Sequence, residues 1–481
     1  MKSRYVTLIL GLLIITINIY FLPFFAWTTG IVRAWLMLQG YLPYRDFTWM
    51  RTPFDLFLLS GWFKLFGVSQ YSYQNFVYSL FIIIALLIFF WSQKFHSKLK
   101  SIPFLFFIIF LPSIFGNVEM GELLVGLWSF LLLINLFYYY DKRKQILLIT
   151  AGLISGLSLI TKQNSSGLIF ATVGLIIIDS IIIKESFSNI LKKCFNFAIG
   201  VLLPALGLAL YYSFNNGLID FIRYSAGVVL GTYRQAPLPP GYSRGDGLWI
   251  EFAYFALLIP FVLFWKKTKL SIQKILTMTF LIIALIPSLL PSFLSYRAFT
   301  SFPLISIVAG FDLIIFFDLI KKRLYRIETV LLISSFLIFI LLVSRFINSY
   351  FDSIQADGFS LRPIIEDYDR SAYETAQWIR NNTNSQDKIM CFSTTIIYFL
   401  SNRLPTNKYL DPFPYLLYPY NESSQVFLSN LPKTMVFEET LIKDFPDFID
   451  WPFYHYLRKN YELKVRFDDL SIYQLPRQQK Q

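Results

Sequence analysis

The chain has 481 residues, of which 55% are hydrophobic, 19% are aromatic and only 15% are charged, and its formal net charge is +13. So high an apolar content is far beyond what a soluble domain needs. The basic residues fall in short clusters between apolar runs rather than along one face, which indicates membrane topology signals and argues against nucleic acid as a partner.

Apolar runs of about 20 residues recur along the chain, and each is long enough to cross the roughly 30 Å hydrocarbon layer as a helix. The runs and the charged gaps between them predict about eleven spans, and therefore a polytopic α-helical membrane protein. The predicted spans are residues 5–25, 72–92, 102–115, 122–140, 146–160, 165–183, 194–214, 248–265, 274–290, 298–320 and 327–347.

Alternate gaps carry the positive charge, which places those gaps and the N-terminus in the cytoplasm. The first outer loop is then residues 26–71. Within it, residues 53–66 have the pattern of an amphipathic helix in the membrane interface, with Asp55 and Lys64 turned outward. The basic gaps contain Lys2 and Arg4; Lys94, Lys98 and Lys100; Lys142, Arg143 and Lys144; Lys184, Lys192 and Lys193; Lys266, Lys267, Lys269 and Lys274; and Lys321, Lys322, Arg323 and Arg326.

The amino-acid composition changes after the last predicted span, where polar residues and Asn-rich turns replace the long apolar runs. We therefore predict two domains, a transmembrane domain of residues 1–347 and a small extracytoplasmic α/β domain of residues 348–481 on the outer face. The patterns in the second domain predict helices at 368–381 and 394–401, strands at 388–392 and 434–437, and a terminal hairpin that turns at Asp468 and Asp469.

The first outer loop contains a polar stretch, GYLPYRDFTWMR at residues 40–51, beside an almost purely apolar span. Pro43 and the aromatic neighbours of Asp46 are expected to hold its carboxylate rigidly at the membrane surface. Such a carboxylate is suited to take a proton from an acceptor hydroxyl. The alternative interpretation is a surface ion pair between Asp46 and Arg45 or Arg51.

The first predicted span is followed by an outer loop of the form G-x-L-P-Y-R-D-F, a helix that begins P-F-D and a closing F-G. This arrangement resembles the C-type glycosyltransferase superfamily. Its members include protein O-mannosyltransferases and lipid A aminoarabinose transferases. Gly40, Pro43, Tyr44, Arg45, Asp46 and Phe47 match the pattern, whereas Arg51-Thr52-Pro53 stands where many relatives have Pro-Pro. The resemblance covers residues 1–347 and implies a bacterial plasma-membrane enzyme with an essential aspartate, here Asp46, and a polyprenyl-phosphate-linked sugar as donor.

The resemblance also implies ligands for the donor phosphate. Lys162 stands where relatives have a Thr-Lys pair, and Arg297 precedes a late span, as an R-Y or R-F pair does in relatives. Arg234 and Arg244, in a Pro- and Gly-rich loop, are further candidates. For Lys162 and Arg297 the alternative interpretation is a side chain that reaches to lipid headgroups.

Glu119 and Glu122 lie at the outer mouth of the fourth predicted span, where the superfamily has a second acidic position. By resemblance, they and Arg45 assist the acceptor, or Glu119 ligates a divalent cation, the only cofactor expected. The alternative is ordinary stabilisation of carboxylates by a helix N-terminus.

Together these features predict an inverting hexosyl- or pentosyltransferase that acts at the outer membrane face on a glycan, lipid or protein acceptor, with Asp46 as general base. The main alternative is a multispan transporter or flippase of lipid-linked saccharides. Against it, the isolated charges gather at one membrane face and no repeated half is visible. A polysaccharide ligase would lack the Pro-Tyr-Arg-Asp signature, and for a structural scaffold Asp46 would be dispensable.

Overall fold

We describe a computed structural model of the full chain. The description covers residues 6, 8–14, 28–49, 51–94, 101–114, 119–227, 246–268, 270–289, 295–321, 327–357, 370–410, 428–444, 450 and 452–476. These residues are mostly helical, with one small mixed sheet. The predicted fold class of a helical membrane protein with a small α/β portion is therefore confirmed in outline.

The chain divides into two compact units, which we call the helical unit and the sheet unit. The helical unit comprises Met1–Phe24, Gln74–Ala209 and Ser243–Pro363, and the sheet unit comprises Phe25–Tyr73, Leu210–Tyr242 and Ile364–Gln481. The first outer loop and the C-terminal residues thus fold into the same unit. The predicted domain boundary at residue 347 stays a prediction, and the last long helix continues without a break to Asp357.

Among the described residues, 8–14 are helical, and ten α-helices and one short 3₁₀ helix follow them in the helical unit or link it to the sheet unit. They are α3 (Gln70–Ser92), α4 (Ile102–Ile114), α5 (Met120–Lys142), α6 (Ile146–Thr161), α7 (Gly167–Ile182), α8 (Phe187–Phe214), α10 (Asp246–Leu263), α11 (Ile272–Ala284), α12 (Phe302–Lys321), α13 (Ile327–Asp357) and the short 3₁₀ helix Trp265–Thr268. Three further 3₁₀ turns, Gln163–Ser166, Ile286–Leu289 and Ser295–Ser301, lie between them.

Six helical segments among the described residues are long and apolar enough to cross a membrane. They are Gln70–Ser92, Met120–Lys142, Gln163–Ile182, Phe187–Phe214, Arg297–Lys321 and Ile327–Ser344. The 13 residues of α4 rise only about 20 Å, too little to span the hydrocarbon layer unaided. A multi-pass membrane protein is therefore supported, and the count of eleven spans stays a prediction.

Helix α12 is deeply packed, with every residue from Phe302 to Asp312 buried. It contacts α4, α5 and α10. Phe302 stacks on Phe107 of α4 at a ring-centroid distance of 5.4 Å, and Gly310 lies against Pro103. Apolar contacts on several sides fix this helix, and with it the turn Ser295–Ser301 that precedes it.

The sheet unit contains α1 (Thr28–Leu38), α2 (Phe54–Phe66) and α9 (Leu218–Ile222), followed by the C-terminal elements. These are α14 (Arg370–Asn382), β1 (Ile389–Phe392), α15 (Ile396–Ser401), β2 (Thr434–Glu438), α16 (Thr440–Asp444), α17 (Pro452–Asn460), β3 (Glu462–Phe467) and β4 (Leu470–Gln474). The strand order is β1-β2-β4-β3, with β1 parallel to β2 and the other pairs antiparallel. The first outer loop joins this unit through α1, which contacts α15, and Trp35 packs edge-on against Phe399.

The sequence predicted the C-terminal elements well, including the β3–β4 hairpin, where Asp468 takes the left-handed conformation (φ 49°). The predicted interfacial helix is α2, and Lys64 is exposed as expected. The prediction that Asp55 turns outward is wrong, because Asp55 is buried. It lies on the stripe of α2 that also holds Leu56, Leu59 and Phe63, the buried face of a helix that packs on α1.

Candidate active site

The loop that carries Asp46 is closed by its own hydrogen bonds. The Asp46 N–H donates to the Leu42 carbonyl (2.9 Å), the Leu42 N–H donates to Asp46 Oδ2 (2.7 Å), and the Tyr44 N–H donates to the Phe47 carbonyl (2.6 Å). Pro43 and Phe47 also form an isolated β-bridge. The carboxylate of Asp46 therefore stabilises the turn in which it lies, and the same hydrogen bonds hold the carboxylate in place.

Tyr44 is the anchor of this turn. It has a positive φ of 70°, a conformation that costs about 1–2 kcal/mol for a residue with a side chain. Its ring is fully buried and lies 5.5 Å from the rings of both Tyr212 and Phe221, and its hydroxyl donates to the Arg51 carbonyl. Burial of one aromatic ring contributes more than the backbone cost. The turn is thus held in a strained shape by packing.

Arg45 forms a bidentate ion pair with Asp46. Arg45 Nε donates to Oδ1 (2.9 Å) and Nη2 donates to Oδ2 (2.6 Å), while Nη1 donates to the Asn215 carbonyl (2.8 Å). The side chains are 38% and 26% exposed, respectively. The hydrogen bond to Asp46 raises the pKa of the Arg45 guanidinium above its ordinary value. The alternative ion-pair interpretation of Asp46 is therefore realised with Arg45, and the carboxylate remains partly open to solvent.

The second half of the loop is tied to other parts of the sheet unit. The Thr48 N–H donates to the Lys408 carbonyl (2.8 Å), and Arg33 Nε donates to the Thr48 carbonyl (3.2 Å). The Arg33 guanidinium lies 5.0 Å from the centre of the Trp49 ring, a cation–π contact. Both sides of the Asp46 turn are therefore fixed.

Lys162 and Glu122 form a buried ion pair in the helical unit. Lys162 Nζ lies 2.5 Å from Glu122 Oε1, and the side chains are 5% and 0% exposed. Lys162 directly follows α6 in extended conformation, and its N–H still donates to the Ser158 carbonyl (2.9 Å). Because Lys162 is enclosed beside a carboxylate, the alternative of a lysine that reaches to lipid headgroups does not describe it.

Glu119 is the residue that precedes α5, and it is also buried. Its carbonyl accepts the N–H groups of Glu122 (3.1 Å) and Leu123 (3.2 Å), so it begins the helix. Among the residues that the structure describes, no three His, Cys, Asp or Glu side chains come close enough together to hold a metal ion. The divalent cation expected at Glu119 therefore stays a prediction, and we derive no step through it.

Arg297 lies on the 3₁₀ turn Ser295–Ser301 and is buried. The turn packs against α5, where Ser129 Oγ donates to the Thr300 carbonyl (3.1 Å). A Cβ at Gly126 would lie 3.0 Å from the Phe299 ring, closer than an ordinary van der Waals contact, so glycine favours this close approach. Since Glu122 is one helical turn before Gly126, the same helix carries the ion pair and supports the turn that holds Arg297.

The structure thus pairs Asp46 with Arg45 in the sheet unit and Glu122 with Lys162 in the helical unit. Arg234 and Arg244 lie outside the described residues.

Sequence reasoning missed two buried acids of the helical unit. Glu251 of α10 is 3% exposed, and Asp312, near the middle of α12, is 0% exposed. The expectation that isolated charges lie at one membrane face and not within the spans is therefore wrong for Asp312. The signal was present in the sequence, because a lone acid within an apolar run is itself a functional-site candidate.

No family model and no curated protein sequence matches the chain. Solved structures do match it. ArnT from Cupriavidus metallidurans bound to undecaprenyl phosphate has a TM-score of 0.52 at 9% identity, and the alignment covers 98% of both chains. The apo state of the same protein has a TM-score of 0.55 at 9% identity, with 98% of this chain and 97% of that chain covered. The oligosaccharyltransferase from Archaeoglobus fulgidus, tethered to an acceptor peptide, has a TM-score of 0.53 at 12% identity, with 91% of this chain and 69% of that chain covered.

ArnT, a lipid A aminoarabinose transferase, and the archaeal oligosaccharyltransferase are both glycosyltransferases of the GT-C fold. Identities of 9–12% establish the fold alone. The chain has the GT-C fold of the C-type glycosyltransferases, which confirms the fold that the first outer loop predicted.

Proposed function

We propose that this protein is a membrane glycosyltransferase that moves a sugar from a polyprenyl-phosphate donor to a hydroxyl of a glycan, lipid or protein acceptor. The observation that carries the proposal is the likeness, over 98% of the chain, to ArnT bound to undecaprenyl phosphate. The likeness to an oligosaccharyltransferase tethered to an acceptor peptide supports the same class of reaction. The alternation of basic gaps along the sequence supports action at the outer face of a bacterial plasma membrane.

In the proposed reaction the acceptor oxygen bonds to the anomeric carbon while the bond from that carbon to the phosphate oxygen breaks, with inversion. Asp46 takes the acceptor proton. Its Oδ2 accepts two of the described hydrogen bonds and its Oδ1 only one, so Oδ1 has more remaining capacity as an acceptor. We therefore assign the proton to Oδ1, and Arg45 orients the carboxylate through the bidentate contact.

The phosphate departs with both electrons of the broken bond, and cations stabilise its charge. Lys162 is positioned for this role by Glu122, and an ammonium with three N–H groups can serve more than one acceptor. Arg297 adds a guanidinium fork, which suits phosphate oxygens. Arg234 and Arg244 are proposed as further phosphate ligands, and Glu119 as a group that assists the acceptor.

The test is transfer by the purified protein in nanodiscs, with undecaprenyl-phosphate hexoses and pentoses as donors. Asp46→Asn keeps the size of the side chain and removes the base, so transfer should fall about 10²–10⁴-fold. The matched control is Glu374→Gln, which changes a carboxylate of similar exposure that pairs with Arg370 in the same unit. Full transfer by a folded Asp46→Asn variant would contradict the mechanism.

One observation favours the transporter or flippase alternative. Asp312 is a buried acid near the middle of a predicted span, and ionisable groups at that depth are common on transport pathways. In proteoliposomes, such a protein would move the intact donor lipid across the bilayer without transfer, and Asp312→Asn would stop that movement. Transfer that survives Asp312→Asn and is lost in Asp46→Asn would instead support the enzyme.

A further inference from the structure

Glu251 is a buried carboxyl group with unused hydrogen-bonding capacity. It lies in the second turn of α10, and its Oε1 accepts a hydrogen bond from Ser301 Oγ (3.1 Å). Among the described residues, Oε2 has no hydrogen-bond partner. A buried polar atom without a partner is unfavourable, so a ligand that donates a hydrogen bond to it would gain affinity.

Ser301 connects Glu251 to the turn of Arg297. Arg297 and Ser301 both belong to the 3₁₀ turn Ser295–Ser301. Ser301 Oγ also lies 3.1 Å from the Ala298 carbonyl, so its one hydroxyl hydrogen is shared between that carbonyl and Glu251. One turn further along α10, the hydroxyl of Tyr254 donates to the same carbonyl (3.3 Å). Two residues of α10 therefore fix this turn, and the free oxygen of Glu251 belongs to the same local structure as Arg297.

We propose that Glu251 and Ser301 form a subsite for a hydroxyl or amino group of the donor sugar. The inference rests on the proposed function, in which Arg297 binds the donor phosphate. In such a donor the sugar is bonded directly to that phosphate, so groups near a phosphate ligand meet the sugar ring. The free oxygen of this carboxyl group can accept a hydrogen bond, which suits a sugar substituent with an O–H or N–H group.

Asp312 is a second buried acid of the helical unit, and its substitution shows what the loss of a buried acid does to the structure in general. It is as deeply buried as Glu251, and neither of its oxygens has a hydrogen-bond partner among the described residues. It lies eleven residues after Ser301, however, about 16 Å along a helix, and therefore away from the turn of Arg297. Asp312→Asn is thus the matched control for Glu251→Gln.

The experiment measures the affinity of the purified protein in nanodiscs for undecaprenyl phosphate and for undecaprenyl-phosphate sugars, including deoxy sugars. Glu251→Gln should bind the sugar-free lipid as the wild type does and should lose about tenfold to a hundredfold in affinity for the preferred sugar lipid. The deoxy donor that lacks the recognised group should bind the wild type weakly. Its affinity for Glu251→Gln should equal its affinity for the wild type. Ser301→Ala, which keeps the carboxyl group, should give a smaller loss in the same direction and serves if Glu251→Gln does not fold.

An unchanged affinity of Glu251→Gln for every sugar lipid, in a protein whose wild type transfers sugar, would overturn this inference and leave the proposed function standing. An equal loss in Asp312→Asn would overturn it as well, because the effect would not be local to the turn. If the wild type binds no undecaprenyl lipid and transfers no sugar, both the proposed function and the subsite are wrong.

Discussion

Two ion pairs of this protein join the same kinds of charge in opposite environments. Arg45 and Asp46 in the sheet unit are 38% and 26% exposed, whereas Lys162 and Glu122 in the helical unit are 5% and 0% exposed. An exposed pair contributes about 0–1 kcal/mol to stability and can open at little cost. A buried pair is costly to break, since loss of one partner leaves a charge without solvent.

This difference matches the two roles that we propose. A general base must stay oriented and still be open to the acceptor hydroxyl, which a partly exposed pair permits. A phosphate ligand must keep one position while a negative charge develops, which a buried pair enforces. We therefore propose different roles for the two pairs, an adaptable carboxylate at Asp46 and a rigid cation at Lys162.

The largest effect on stability is expected from breaking the buried pair. Lys162→Met leaves Glu122 as a buried charge without its lysine, so the free energy of unfolding should fall by about 3–5 kcal/mol. The double variant Lys162→Met, Glu122→Met removes both charges and should recover most of this loss. Unfolding in mixed detergent micelles measures both changes.

The matched control for this prediction is Lys267→Met. Lys267 pairs with Glu328 at 2.9 Å in the same unit, but the side chains are 37% and 23% exposed. Its loss should cost less than about 1 kcal/mol. If Lys162→Met costs no more than this control, burial does not distinguish the two kinds of pair.

The sequence predicted those features that follow from local pattern. The α2 helix, the β3–β4 hairpin and the fold were all predictable, because apolar periodicity, turn residues and the loop motif are local in the chain. The pairing of Lys162 with Glu122 was not, since the two residues are 40 positions apart and each was considered only as a separate ligand.

The depth of individual charged residues was also not predictable. Asp55 was expected to face outward because acids usually do, yet the face of α2 that meets α1 includes it. Glu251 has a similar explanation, because it is buried where α10 packs on its neighbours, which include the turn Ser295–Ser301. Periodicity predicts the helix but does not tell which neighbour covers each face.

A smaller effect is expected at the anchor of the exposed pair. Tyr44→Phe keeps the ring against Tyr212 and Phe221 and removes only the hydroxyl that donates to the Arg51 carbonyl. The expected cost is about 1 kcal/mol in the free energy of unfolding. Tyr211→Phe, which changes an exposed tyrosine, should stay within about 0.5 kcal/mol of the wild type. Equal costs in the two variants would mean that the hydroxyl does not support the turn.

The smallest effect on stability is expected from Arg45→Gln. The Leu42 N–H still donates to Asp46 in this variant, so the turn should persist and the free energy of unfolding should change by less than about 1 kcal/mol. The carboxylate loses its bidentate partner, however, and a base that is less well oriented should lower kcat about tenfold with little change in KM.

Arg45→Lys, with a single charged donor in place of the fork, should recover only part of kcat. Unchanged transfer in Arg45→Gln would reduce the Arg45–Asp46 contact to a surface ion pair, and a loss of stability as large as that of Lys162→Met would make it structural. A fall in kcat alone, without a fall in stability, is the result that distinguishes a pair that orients a base from one that holds a fold.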